Sequence, residues 1–239
     1  MVRSLLVRGM LAGFLASVLA FGFAKMVGEP QVEAAIAVEE QMAEAMGGSH
    51  AHEMPELVSR DVQSGLGLLV GLGVFGSAVG GLFALGFAAV YGRVGAIGAR
   101  ATSLMLALLG YIAIVLVPFL KYPPNPPGVG DPSTIGMRTA LFFTMIGLSL
   151  AAMVIALVLA RRFVLRVGTW RAWLGAGALF LVLTVLAQAV LPDINEIPGH
   201  FPAVLLWQYR VAAFGIQAVM WGALGLLFAS LAQPLLARR

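Results

Sequence analysis

The sequence predicts an all-α fold: a polytopic membrane helix bundle with six transmembrane helices and an amphipathic helix in the first outer loop. Three observations carry this expectation. Hydrophobic residues make up 60% of the chain, charged residues only 11%, and mean hydropathy is +0.95. Soluble domains hold about 45–50% apolar and about 25% charged residues. The apolar residues gather into six runs of the roughly 20 residues that a helix needs to cross a bilayer. Finally, the stretch Pro118-Phe119-Leu120-Lys121-Tyr122-Pro123-Pro124-Asn125-Pro126-Pro127-Gly128-Val129-Gly130-Asp131-Pro132 divides the sequence, with three runs on each side. A chain this apolar could not cover its own surface in water, and residues 1–239 read as a single membrane domain.

The first run covers about residues 5–27, with Arg8 and Lys25 placed so that their long stems carry the charges to the headgroups. A cleaved signal peptide is the rival reading, from Arg3 and Arg8 ahead of the apolar run and Gly22-Phe23-Ala24 after it. The second run, about 65–91, is rich in glycine. Gly67/Gly71, Gly76/Gly80, Gly73/Ser77 and Ser77/Gly81 are spaced four apart, which strips side chains from one helix edge and lets a neighbouring backbone approach. Packing is the ordinary reading of that strip, and a substrate path along it is the other. Runs three and four cover about 101–120 and 139–160, and runs five and six about 172–191 and 211–231. Between runs three and four the prolines stop a helix and favour a stiff, extended connector. Asp131-Pro132 then reads as a cap and first helical residue. Three runs per half would also suit an inverted repeat, although the halves show no residue-level match.

Charge sets the orientation. Arg3, Arg8, Arg93, Arg100, Arg161, Arg162, Arg166, Arg171, Arg238 and Arg239 fall on the side of the termini, against Lys25, Arg60, Lys121, Arg138 and Arg210 on the other. The side richer in basic residues faces the cytoplasm, so both termini are expected inside a bacterial inner membrane. All 11 acids fall on the outer side. Such a face concentrates cations near it, or else merely keeps the loops solvated. The net charge of +4 and pI near 10.0 would suggest nucleic acid in a soluble protein. Here the charges are sorted by membrane side, and no nucleic-acid partner is expected.

The first outer loop, about residues 28–62, holds the candidate chemistry. Gly28-Glu29-Pro30 reads as the start of an amphipathic helix, since proline suits a first turn. At 3.6 residues per turn Glu29, Glu33, Glu40 and Glu44 share one face, turned to water. Ala34, Ala35, Val38, Met42, Ala45 and Met46 share the other, lying on the bundle or on the outer lipid surface. Past Gly47-Gly48, His50 and His52 are two apart, so an extended chain points both imidazoles the same way, with Glu53 beside them. Imidazole suits cobalt, nickel, copper and zinc. His50, His52, Glu53 and the outer His200 are therefore the candidate metal ligands, weighed against a plain solvated loop tip. Trp207 and Tyr209 fit an outer aromatic belt, and Arg210 a partner carboxylate or phosphate. Within the spans, Gln188 and Gln217 either line a pathway or bridge helices by hydrogen bonds.

Several chemistries are excluded or disfavoured. The chain has no cysteine, hence no disulfide and no thiolate. It has no G-x-x-x-x-G-K-[ST] loop. His52-Glu53 is followed by Pro55 and lacks the second histidine of a metalloprotease helix. No histidine falls within a span, and catalysis is not expected.

Arg8-Gly9-Met10, Gly28-Glu29-Pro30-Gln31, Pro118-Phe119-Leu120-Lys121-Tyr122-Pro123, Asn125-Pro126-Pro127, Gly130-Asp131-Pro132 and Leu205-Leu206-Trp207 together resemble the CbtA family across essentially the whole chain. Its members are bacterial membrane proteins named as cobalt transporter subunits, often with a histidine-rich first outer loop. Here that loop holds His50 and His52. The resemblance implies uptake of Co²⁺, as transported ion rather than tightly bound cofactor, for cobalamin synthesis. It also implies a small single-span CbtB-type partner. A non-transporting scaffold of a larger membrane complex is the alternative, since glycine-lined faces and few intramembrane charges suit it.

Overall fold

The computed structural model describes residues 2–45, 58–93 and 97–236, whose regular elements are all helices, with no strand among the described residues. α1 (Val2–Phe23) passes through a widened turn (Ala24–Gly28) into α2 (Glu29–Ala45). α3 (Arg60–Val62) passes through a second such turn (Gln63–Gly67) into α4 (Leu68–Val90). α5 (Ala99–Gly110) and α6 (Val117–Lys121) are joined by a third (Tyr111–Leu116). α7 (Ile135–Val167), α8 (Thr169–Val190) and α9 (Ala203–Leu236) follow. Six helical segments are long and apolar enough to cross a membrane: Val2–Glu44, Arg60–Val90, Ala99–Lys121, Pro132–Val167, Thr169–Val190 and Ala203–Leu236. The chain is a multi-pass membrane protein.

Prolines account for two of the widened turns. A proline ring clashes with the carbonyl four residues earlier and supplies no N–H of its own. The Glu29 N–H reaches back five residues to Ala24 O just ahead of Pro30, and the Val117 N–H does the same to Ile112 O ahead of Pro118. One extra residue in the turn relieves the clash, and the helix goes on. One expectation is corrected by this: Gly28-Glu29-Pro30 begins no separate helix, because the amphipathic segment is the first span continued. Pro118 lies inside the third span, as the bounds of about 101–120 expect, and the helix ends at Tyr122, ahead of Pro123-Pro124.

At 1.5 Å per residue the 43-residue segment Val2–Glu44 is about 65 Å long, roughly twice a hydrocarbon core, so α2 projects beyond the membrane. Its apolar edge is covered by the chain itself. Ala35, Val38 and Met42 pack with Val129, Phe201, Leu205 and Leu206. Ala34, expected on that edge, is exposed, while the side chain of Ala45 and all of Met46 lie outside the described residues.

The connector is not extended throughout. Gly128 has φ +76°, and the Val129 N–H donates to Pro126 O at 3.2 Å, so Pro126–Val129 is a tight reversal with Pro127 and Gly128 at its centre. Asp131 caps as expected: its carboxylate accepts from the Ser133 N–H, with Pro132 in the first helical position. Between α7 and α8 there is no loop to speak of. Gly168 (φ +82°) alone separates the two helices, so Arg161, Arg162 and Arg166 sit on the end of α7 and Arg171 on the start of α8.

Contacts divide the chain into two compact units, and the division does not follow the halves flanking the proline-rich stretch. Residues 1–108, 125–129 and 197–239 form the first, and 109–124 with 130–196 form the second. In the first, α4 lies against α1 through glycines on both. A Cβ on Gly13 would stand 2.9 Å from Gly80 Cα, and one on Gly76 would stand 2.7 Å from Ser17 Cβ. The glycine strip of α4 is filled by the α1 backbone, so packing is its role at Gly76 and Gly80. α9 completes the unit: Phe228 meets Phe83 and Phe87 edge-on at 5.3 and 5.0 Å, and Ser103 Oγ donates to Gly225 O at 2.8 Å. The second unit packs Met145, Ala152 and Ala156 of α7 against Ala176 and Phe180 of α8, with Ala113 and Val117 of the third span.

Candidate functional site

Of the residues singled out for ion capture, Glu29, Glu33, Glu40 and Glu44 lie along α2 and His200 lies in the connector before α9. Glu29 follows the widened turn that ends the first span, and it differs from the rest of its row. Only 9% of it is exposed, and it is ion-paired with Arg60 of α3. Lys25 Nζ donates to Ser64 Oγ at 3.1 Å, tying the first widened turn to the second. Glu33, Glu40 and Glu44 are exposed along the projecting part of α2, as is Glu39. A Cβ on Gly128 would stand 3.1 Å from Glu39 Cβ, so the connector turn passes close against this helix.

Arg210 Nη2 donates to Asn125 Oδ1 at 2.9 Å. The expected carboxylate or phosphate partner is thus an amide of the proline-rich connector, reachable because that connector reverses at Pro127-Gly128. Trp207 is 68% exposed, as an aromatic-belt residue would be, whereas Tyr209 is half-buried.

In the second unit the acids of the last connector are engaged. Lys121 is ion-paired with Asp193, and Tyr122 Oη donates to Pro192 O at 2.8 Å. Burial pushes the Tyr122 phenol above its ordinary value; Lys121 opposes that rise and Asp193 adds to it, so the proton stays for the bond to Pro192. Glu196 Oε2 accepts from the Asp131 N–H at 2.9 Å and lies 3.5 Å from Arg138 Nε. The Asp131 N–H, then the Thr134 hydroxyl, hold the Glu196 carboxyl below its ordinary value. The Ser133 hydroxyl, then its N–H, do the same for Asp131.

Each of the five basic residues on this side therefore has a partner, and three of the acids are used in ion pairs. Glu33, Glu39, Glu40, Glu44 and Asp61 are exposed with no ion pair among the described residues. These free carboxylates concentrate on α2. His200 is exposed in the turn closed by Phe201 N–H to Pro198 O, while His50, His52 and Glu53 lie outside the described residues. Among the described residues no three His, Cys, Asp or Glu side chains come together as a metal site.

The two intramembrane glutamines belong to different units, Gln188 to the second and Gln217 to the first. Gln188 Nε2 makes a long hydrogen bond, 3.4 Å, to Val117 O of the third span, the bridging use of an amide in lipid. Gln217 is half-buried. The ion pairs escaped the sequence reading because their partners lie 31, 72 and 58 positions apart.

No curated protein and no solved structure matches this chain. A family model does, over residues 2–233, under the description probable cobalt transporter subunit. The chain belongs to this family, CbtA.

Proposed function

We propose that this subunit takes Co²⁺ inward across a bacterial cytoplasmic membrane, with both termini in the cytoplasm, and that α2 is its collector. The observation that carries the proposal is the set of exposed carboxylates on α2 that have no ion pair among the described residues, while Lys25, Arg60, Lys121, Arg138 and Arg210 each already have another partner. A face of one sign raises the local concentration of its counter-ion. Glu33, Glu40 and Glu44 do so here, and His50, His52, Glu53 and His200 supply first contacts of the ligand type that cobalt accepts. Glu29 holds Arg60 and takes no ion. Gln188 and Gln217 are the polar groups available to a path through the spans. The family assignment supports a transport role without catalysis; cobalamin synthesis as the destination and a CbtB-type single-span partner are what the sequence resemblance implies.

Cobalt accumulation in cells tests this. Glu33→Gln, Glu40→Gln and Glu44→Gln combined are expected to cut the initial rate severalfold at low external cobalt, with a smaller loss when salt is raised. His50→Ala with His52→Ala should lower uptake without changing the salt dependence. A scaffold role is the second reading, favoured by the backbone-to-backbone seating of α1 on α4. Unchanged uptake in both variants, with the protein still folded in the membrane, would decide for it.

A further inference from the structure

Between the ends of α7 and α8, on the side opposite the acids, lies an apolar cleft of about 270 Å³. Phe163 and Val167 line it from α7, and Gly175 and Leu179 from α8, with Arg171 also in its lining. A Cβ built on Gly175, which lines the cleft, would meet nothing within 4 Å. The missing side chain leaves room that the chain does not use.

The surroundings say what uses it. Arg161, Arg162, Arg166 and Arg171 are all exposed, and no acid occurs between residues 132 and 192. None of the four guanidinium groups has an ion pair or hydrogen bond among the described residues. Arg166 lies over the Phe163 ring at 5.8 Å, which holds one charge beside the cleft. Trp170 is 76% exposed one residue before Arg171, the position of an interfacial aromatic, and puts these charges at headgroup depth. α7 is 33 residues long, about 50 Å, so its last turns extend past the hydrocarbon into the headgroup region.

We propose that the cleft binds one anionic phospholipid, its acyl chain against Phe163, Val167, Gly175 and Leu179 and its phosphate on Arg171 and the neighbouring arginines. Charge complementarity selects the lipid: four unpaired cations at the boundary demand an anion, and the apolar hollow beside them demands a chain. A basic pocket between helix ends is how membrane proteins hold such headgroups. The site is separate from the acid-bearing side and does not depend on which ion the subunit carries.

Native mass spectrometry of the detergent-purified full chain, titrated with phosphatidylglycerol or phosphatidylcholine, tests this. One bound phosphatidylglycerol is expected in preference to phosphatidylcholine. Arg171→Gln should weaken it about fivefold, the worth of one cation at a charged lipid surface, and Arg171→Lys should restore most of it. Gly175→Leu fills the hollow without touching charge and should weaken phosphatidylglycerol as much or more. Arg100→Gln, a basic residue of the same side outside the cleft, should leave binding unchanged. Equal losses for Arg100→Gln and Arg171→Gln would overturn the proposal in favour of diffuse attraction. Displacement of the lipid by millimolar inorganic phosphate would overturn it in favour of a free-anion site, and a lipid-independent dimer lost in Gly175→Leu in favour of a second copy. Should Gly175→Leu fail to fold, the Arg171→Gln, Arg171→Lys and Arg100→Gln series still decides.

Discussion

Glu29 and Arg60 show how far a single side chain can depart from the pattern it belongs to. On a helical wheel Glu29 shares a face with Glu33, Glu40 and Glu44, yet it stands at the membrane edge, where burial is costly for an unpaired charge. Arg60 answers that cost. Arg60→Ala should therefore destabilise the protein by about 1–3 kcal/mol, the range for stranding a buried hydrogen-bonding group. Glu29→Gln with Arg60→Ala should recover part of the loss, which a double-mutant cycle on thermal unfolding in detergent would read. A pH effect belongs at this scale too. Asp131 and Glu196 have carboxyl pKa values held below ordinary by hydrogen bonds that only the folded chain makes. Their stabilisation is complete above the ordinary carboxylate range and is lost as pH falls through the depressed values. Amide exchange at Ser133 and Asp131 should accelerate over that acidic interval. Glu196→Gln should flatten the response at Asp131 while leaving the Ser133 cap in place.

Among the elements, the pairing of α1 with α4 rests on the absence of side chains. Gly13→Val sets new atoms against the Gly76 and Gly80 backbone and is expected to cost at least about 1–3 kcal/mol, as overpacking does. Gly71→Ala, on the same helix but with nothing within 4 Å of the added methyl, should be neutral or slightly stabilising. Thermal unfolding of the two variants side by side distinguishes a packing seam from a general need for glycine. Four-residue spacing made Gly76 and Gly80 legible as a contact strip. It could not reveal that Gly9 and Gly13 are the partners, since glycine has no side chain to betray a matching surface. The widened turns were hidden for a related reason. Proline in a sequence signals a helix boundary, and whether the helix stops or absorbs the extra residue depends on neighbours that hold the chain in line.

Over the whole molecule the sorting of charge by side can be checked directly, because the chain has no cysteine to confuse the labelling. Glu40→Cys and Asn195→Cys, both at exposed positions, should react with an impermeant maleimide added to intact cells. Arg162→Cys should react only after permeabilisation. Reversed labelling would remove the inward-capture reading while leaving the family assignment standing.

The sequence by itself determined that this is a membrane protein, that six segments are long and apolar enough to cross, which family it belongs to and which connectors hold the acids. These follow from composition, run length and local motif, quantities that need no knowledge of distant neighbours. Only the tertiary structure decided that the first span and the amphipathic helix are one, and that Glu29 is neutralised while Glu33, Glu40 and Glu44 stay free. It alone showed that Gly76 is filled and Gly175 is not. Each of these depends on which residue from elsewhere in the chain arrives at a given place, and burial, pairing and empty space exist only once it has arrived.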